Sequence, residues 1–313
     1  MKKPFKTVFM GTPEFAVPSL EFLYDSGRDI SCVVTQPDRP KGRGRKPAPS
    51  PVKITALRRN LQVYEVESIR NPSVVDTLSK FKPDLFIVVA FGQILPKKIL
   101  DIPGYGSVNI HASLLPKYRG AAPIQWAIVN RENKTGVTAI LMDEGMDTGG
   151  ILRAAAIPIR DDETFQGLHD RLSVLGAQVL METLHEMETR ELLPFPQDET
   201  QVSYAPMLKK EDGRIDWRQS GKAIDALIRG MTPWPGAFTF IEMTRIKIFR
   251  AAVVDVETDQ PPGTVVRADP EAFWVSTGNR VLSILEIQPA SGKRLMVRDF
   301  MRGRGVYKGA CLT

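Results

Sequence analysis

Histidine and cysteine are scarce in this chain, and their scarcity narrows its chemistry. The 313 residues include 3 histidines and 2 cysteines. Cys32 and Cys311 lie far apart, so neither a disulfide framework nor a metal-ligand cluster is expected. Cys32 falls in the apolar run SCVV and reads as a small buried hydrophobe. No apolar run approaches the roughly 18–20 residues that span a bilayer. The opening stretch, MKKPFKTVFMGTPEF, has no apolar core of signal-peptide length and no small-residue cleavage site. A cytoplasmic protein is therefore expected. The G-x-G-x-x-G fingerprint of dinucleotide folds is also missing: Gly11-Thr12-Pro13 stands in its place after the first strand. That argues against a nicotinamide dinucleotide.

What is present is ordinary for a globular protein, with 42% hydrophobic and 25% charged residues. The length exceeds that of a single core, so two domains are expected. The net charge of +6 is modest, but it is concentrated. Asp38–Lys46 (DRPKGRGRK) holds five basic residues against one acid. Lys293–Lys308 (KRLMVRDFMRGRGVYK) holds six against one. Either cluster alone reads as a solvated surface; two together point to a polyanion partner.

Periodicity gives the organisation. Phe5–Met10 and Ile30–Thr35 read as strands, and Asp84–Ala90 (DLFIVVA) as a strand covered on both faces. A helix is expected over about Glu14–Tyr24, with Thr12 as N-cap and Pro13 at its first position. Ser50-Pro51 opens another helix by the same logic. Ser107–Ile110 and Thr138–Met142 are further strands, with a helix over Ala121–Asn130 between them. Glu163–Thr189 carries a helical apolar period that closes the first domain. Alternating strands and helices predict an α/β fold: a Rossmann-like, mostly parallel sheet with helices on both faces. The proline-bearing stretch 191–208 reads as a linker, which sets the domains at 1–190 and 209–313. Short β-like runs after it predict a small β-barrel preceded by one helix at Lys222–Gly230. In Thr232-Pro233-Trp234-Pro235-Gly236, Trp234 reads as buried between two prolines, although it could stack on a base.

The segment richest in chemistry is Ser107–Gly120, SVNIHASLLPKYRG. Asn109 and His111 stand two apart in an apolar run, so a strand projects both from one face. An amide donor then sits beside a titratable base, at a strand end that runs into a loop. His169 and His185 lie in the helical stretch and read as structural.

These residues resemble the signature of the formyltransferases that use 10-formyltetrahydrofolate. The likeness rests on Asn109-Ile110-His111, on Ser113-Leu114-Leu115-Pro116 and on Tyr118-Arg119-Gly120. Asp143–Gly149 (DEGMDTG), following a strand, is similar to the family's second active-site loop. The resemblance maps the family's catalytic Asn, His and Asp onto Asn109, His111 and Asp147. Phe9–Pro13, the loop Arg39–Lys46 and Thr232–Gly236 extend the likeness to the branch that acts on methionyl-tRNA. It implies an oligonucleotide-binding-type barrel at the C-terminal end. It places the folate pterin near the backbone of Phe91, Gly92 and Ile94, and against Ser113, Leu114, Leu115 and Pro116. It implies initiator methionyl-tRNA as acceptor, met by Arg39, Lys41, Arg43, Arg45 and Lys46 and by Lys293, Arg294, Arg302 and Arg304. The basic loop, with glycines between cations and no apolar anchor, is expected to order on a phosphate backbone.

Formyl transfer asks for what the trio can do. Asn109 can donate to the oxygen on which charge develops. His111 can donate to that oxygen or shuttle a proton, and Asp147 can hydrogen-bond and orient the imidazole. No metal, membrane or obligate protein partner is called for. The same trio would serve an amino-sugar nucleotide formyltransferase or a 10-formyltetrahydrofolate hydrolase, and the two basic clusters favour tRNA over either. An RNA-binding module on an inactive scaffold is the rival from another class, against which the intact trio argues.

Overall fold

A computed structural model describes residues 4–41, 46–189, 192–303 and 306–313; the side chains of Lys41 and Lys46 are outside that description. Two compact units emerge. The first comprises Met1–Pro123, Lys134–Pro158 and His169–Ala205; the second comprises Ile124–Asn133, Ile159–Leu168 and Pro206–Thr313.

In chain order the elements up to the sheet's end are β1 (Thr7–Gly11), α1 (Val17–Asp25), β2 (Ile30–Thr35), β3 (Arg39–Lys41), β4 (Lys46–Ala48), α2 (Pro51–Arg58), β5 (Val63–Glu65), α3 (Pro72–Lys80), β6 (Leu85–Val89), α4 (Lys97–Leu100), β7 (Ser107–His111), β8 (Arg119–Gly120), α5 (Pro123–Val129), β9 (Lys134–Leu141) and β10 (Gly150–Pro158). The main sheet has seven strands in the order β10-β9-β7-β6-β1-β2-β5. Pairing from β5 through β7 is parallel, while β9 and β10 are antiparallel additions. The parallel strands are the apolar runs: every residue of β1 and β6 is buried. The expected strand at Thr138–Met142 starts earlier, at Lys134. β10 escapes a periodicity reading because GILRAAAIP is an edge strand whose alanines carry little β signal.

Turn chemistry holds in one place and fails in another. Ser50 caps α2, its side chain accepting from the Lys53 amide. Thr12 is not a cap. The chain passes through a short 3₁₀ turn (Glu14–Ala16) whose N-cap is Pro13, and α1 begins at Val17. The Thr12 hydroxyl instead donates to the Phe91 carbonyl at 3.2 Å, tying the turn after β1 to the loop after β6. Gly11 is required there: a Cβ would meet Ala16 and the Val89 carbonyl at 2.9–3.0 Å. The basic segment is bounded by a two-stranded hairpin, with Arg39 opposite Ala48 and Lys41 opposite Lys46.

Cys32 is buried in the first unit, and burial pushes its thiol up to about 12; Cys311 is exposed. Thiolate, not thiol, reacts with disulfide reagents. We therefore expect one fast-reacting thiol per native chain near pH 8 and two after denaturation. Rapid labelling of both in the native state, counted by intact mass, would contradict this burial.

After α6 (Phe165–Thr189) and β11 (Tyr204–Ala205), the second unit continues with α7 (Gly221–Met231), β12 (Ala237–Ile241), β13 (Thr244–Val254), β14 (Val265–Asp269), β15 (Ala272–Ser276), β16 (Val281–Pro289), β17 (Leu295–Met296) and α8 (Val297–Gly303). Its strands run antiparallel in the order β12-β13-β16-β15-β14, with β17 on β16. The two edges are joined by the segment 310–313. Leu312 bridges Ile241 on one edge, and Cys311 bridges Thr264 beside the other. Thr313 exchanges backbone hydrogen bonds with Phe240 at 2.8 and 3.0 Å. The sheet thus closes around Ile224, Ile248, Phe273, Val275 and Leu282. Closure removes exposed strand edges, which otherwise invite aggregation. Trp234 is the exception to the expected burial. It is 54% exposed, because the Met231–Gly236 turn projects it away from the core.

Candidate active site

β7 lies between β6 and β9, with Asn109 opposite Val88 and Ile140 and His111 opposite Thr138. Both side chains leave the same face. His111 is buried; Asn109 is half-buried, and its carboxamide has no hydrogen-bond partner among the described residues. The amide is thus available to bond a ligand group.

The His111 ring is held at both nitrogens. Nε2 lies 2.9 Å from the Tyr118 carbonyl, which can only accept, so Nε2 carries a hydrogen. Nδ1 faces the Asp147 carboxylate, 3.5 Å from Oδ1. That distance is long for a hydrogen bond but within ion-pair reach. Nδ1 thus faces the acid, so a proton carried there sits beside the carboxylate. The second Asp147 oxygen accepts from the Gly120 amide at 2.8 Å. The expected hydrogen bond between the imidazole and Asp147 is thus a longer contact, and the main-chain carbonyl of Tyr118 is the ring's hydrogen-bonded partner.

Register shows how Asp147 arrives. β9 ends level with Val108, so the loop from Met142 to Gly149 must fold back along β7 to reach His111. The Asp143 carboxylate shapes it, accepting from the Gly145 amide at 3.0 Å and the Thr148 hydroxyl at 2.6 Å. Asp147 has φ +58° and Tyr118 has φ +62°, both in the left-handed region. Such conformations cost about 1–2 kcal/mol outside glycine and persist only where the surroundings hold them. Here the holder is Gln197. Its Nε2 donates to the Asp147 and Gly149 carbonyls at 2.7 and 2.8 Å. Its Oε1 accepts from Arg119 at 2.8 and 3.1 Å. Arg119 is buried and also binds Glu199, which holds the guanidinium protonated; Arg119 in turn holds the Glu199 carboxyl below the usual range. Periodicity reading passed over Gln197 and Ser203, whose hydroxyl accepts from the Tyr118 amide at 2.9 Å. Both fall in 191–208, a stretch that bonds back onto β8 and β10 rather than hanging free.

The residues assigned to folate divide by orientation. The loops after β6 and β7 leave the same end of adjacent parallel strands, where open α/β sheets place ligands. Phe91 and Leu115 point into apolar clusters. The Phe91 carbonyl is engaged by Thr12 and by Gln36. Gly92 has φ +80°, and a Cβ there would lie 2.6 Å from the Gln36 amide. Ile94 is 54% exposed. No backbone hydrogen bond engages residues 92–95 among the described residues, which leaves a polar main-chain edge for a heterocycle. Ser113 and Leu115 are fixed by Thr138, whose hydroxyl donates to the Ser113 carbonyl and accepts from the Leu115 amide. Leu114 and Pro116 are half-buried in the same turn.

Of the cations assigned to tRNA, Arg43, Arg45 and Arg304 lie outside the described residues. Arg39 is exposed and donates to Gln36 at 2.5 Å. In the second unit Lys293 is exposed. Arg294 stacks on Phe249 and pairs with Glu286, and Arg302 lies 3.8 Å from Asp299.

Comparison with known proteins follows this geometry. The family model for formyl transferase matches residues 5–184, and that for the formyl transferase C-terminal domain matches 207–305. The methionyl-tRNA formyltransferase of Geotalea uraniireducens is 49% identical, covering 98% of this chain and 97% of its own. That of Alkaliphilus oremlandii is 48% identical, covering 98% and 99%. Among solved structures, HypX from Aquifex aeolicus in complex with tetrahydrofolic acid superposes with a TM-score of 0.64 at 18% identity. It covers 98% of this chain, which spans about half (51%) of that one. The N-formyltransferase of Helicobacter canadensis, in complex with folinic acid and dTDP-3-aminofucose, gives 0.65 at 20% identity, covering 89% and 98%. These distant structures speak for the fold. Two domain matches in order, and relatives near half identical from end to end, speak for more: the chain belongs to the methionyl-tRNA formyltransferase family.

Proposed function

We propose that the protein transfers the formyl group of 10-formyltetrahydrofolate to the α-amino group of methionine on initiator tRNA. The observation that carries the chemistry is the unpartnered Asn109 carboxamide on the same strand face as the His111–Asp147 pair. The folate supplies the formyl carbon. Asn109 donates to the formyl oxygen, where negative charge develops as the amine attacks. One proton must leave the attacking nitrogen and one must reach the departing nitrogen of the folate. His111, anchored through Nε2 on Tyr118 with Nδ1 facing Asp147, shares the strand face of Asn109 and is the group assigned to carry it. Asp147 balances the charge on the ring while that proton is held. The free main-chain edge at 92–95 and the turn at 113–116 suit the flat, polar folate head. No step in this sequence needs a metal.

The acceptor rests on the relatives and on the basic clusters. Residues 1–190 would carry the chemistry and 209–313 would bind the acceptor arm, joined by 191–208. No described helix is long and apolar enough to cross a membrane, and a cytoplasmic location without an obligate protein partner fits the reading. Incubation with 10-formyltetrahydrofolate and charged initiator tRNA should yield formyl-methionyl-tRNA. Formate release without it would point to a hydrolase, and transfer only to an amino-sugar nucleotide would point to a sugar formyltransferase.

Neutralising Arg43 and Arg45 together should raise KM for tRNA or lower kcat. The salt dependence of tRNA binding should weaken, by a slope of roughly 0.7 per lost phosphate contact. Unchanged kinetics and an unchanged salt slope would remove the loop from the tRNA interface.

A further inference from the structure

We propose that Gln197 is a positioning residue for Asp147, with its amide oriented by Arg119. This rests on the reading of Asp147 as part of the catalytic trio. Gln197 lies between the two segments matched as formyl transferase domains, in a proline-bearing stretch that shows no catalytic motif. Its bonding is different: it holds the main chain of the Asp147 loop, whereas His111 faces the carboxylate.

The bonding fixes which end of the amide faces which way. A buried guanidinium donates only, so the end facing Arg119 must be the oxygen. The NH₂ end then has two donors, and two carbonyls receive them, those of Asp147 and Gly149. Asp147 occupies the left-handed region, where a non-glycine residue returns to ordinary backbone geometry unless restrained. The two donations supply that restraint on the main chain. The Gly120 amide supplies a third on the carboxylate itself. Arg119 and Gly120 are adjacent in β8, so one strand both orients the clamp and grips the acid.

Glutamate at 197 separates positioning from packing. Gln197→Glu keeps the shape and strengthens the pairing with Arg119, but turns a carboxylate oxygen onto two carbonyl oxygens. If Gln197 only packs against Arg119, the variant is tolerated. If it positions Asp147, kcat falls by about 10²-fold, the scale of an ångström-level misplacement in an active site. KM for tRNA stays within about twofold, since no tRNA contact is lost. Gln197→Met, neutral and without donors, should lose turnover likewise and carries the test should the glutamate variant misfold. In an Asp147→Ala background, Gln197→Glu should add less than about a twofold further loss, because residues acting as a unit are non-additive. Full additivity of the two losses, or wild-type turnover in both Gln197 variants beside a defective Asp147→Ala, overturns this inference alone. Normal turnover in Asp147→Ala overturns the catalytic reading and the inference with it.

Discussion

Asn109→Ala should lower kcat for formyl transfer by about 10²–10³-fold, the loss seen when one oxyanion donor is removed. KM for either substrate should change little, because the amide bonds a charge that develops only during reaction. The fold should be unharmed: the carboxamide bonds no described residue, so its removal orphans nothing. Asn109→Asp is the sharper version. It places an acceptor and a negative charge where a donor is needed. Its loss of turnover should exceed that of alanine. His111→Ala should be at least as severe and should also loosen the Tyr118 turn, whose carbonyl loses its donor. Single-turnover measurement at saturating tRNA checks all three. Near-normal turnover in Asn109→Ala would show that the amide faces something other than the reacting oxygen.

Gly136→Ala should be among the most damaging small substitutions in the first unit. Gly136 pairs with Ala156 within the β9–β10 ladder. A Cβ there would lie 2.0 Å from the Ala155 carbonyl oxygen and 2.6 Å from Leu114. Neither rotamer change nor a shift of a few tenths of an ångström relieves a clash with paired backbone. Overpacking of this kind costs about 3 kcal/mol. For a unit of this size that lowers Tm by roughly 6–12 °C. Activity should fall as well, because Leu114 belongs to the turn that follows His111. Gly104→Ala is the control, with nothing within 4 Å of its added methyl, and should leave Tm unchanged. Thermal unfolding followed by circular dichroism distinguishes the two. A Gly136→Ala protein as stable as wild type would mean that the β9–β10 pair is wider than described.

Much of this architecture is legible from residue pattern, for identifiable reasons. β1 and β6 are runs of buried, largely apolar residues, and β7 sets Val108 and Ile110 among polar ones, so their type and place follow from pattern. Asn109 and His111 stand out because polar groups are costly in such a run. What pattern misses is whatever depends on a partner distant in sequence. Gln197 is separated from Asp147 by 50 positions, and nothing local to either announces the bond. Thr12 shows the converse: a cap residue in form, it spends its hydroxyl on a carbonyl 79 residues away. Trp234 misleads because aromaticity favours burial on average, whereas the turn holding it points outward. Its exposure leaves the base-stacking role open to test by fluorescence quenching with tRNA.

The closure of the second unit by residues 310–313 bears on the order in which a newly made chain can acquire its shape. The first unit's segments are complete at Ala205, and its sheet needs nothing synthesised later. The barrel cannot shut so early, since Thr239 meets the carbonyl of Thr313 across 74 residues. Until that segment emerges, both barrel edges stand open, at the stage when an unpaired edge is most exposed to neighbouring nascent chains. The sheet that carries Asn109 and His111 can thus settle while the barrel still waits for its strand-like clasp.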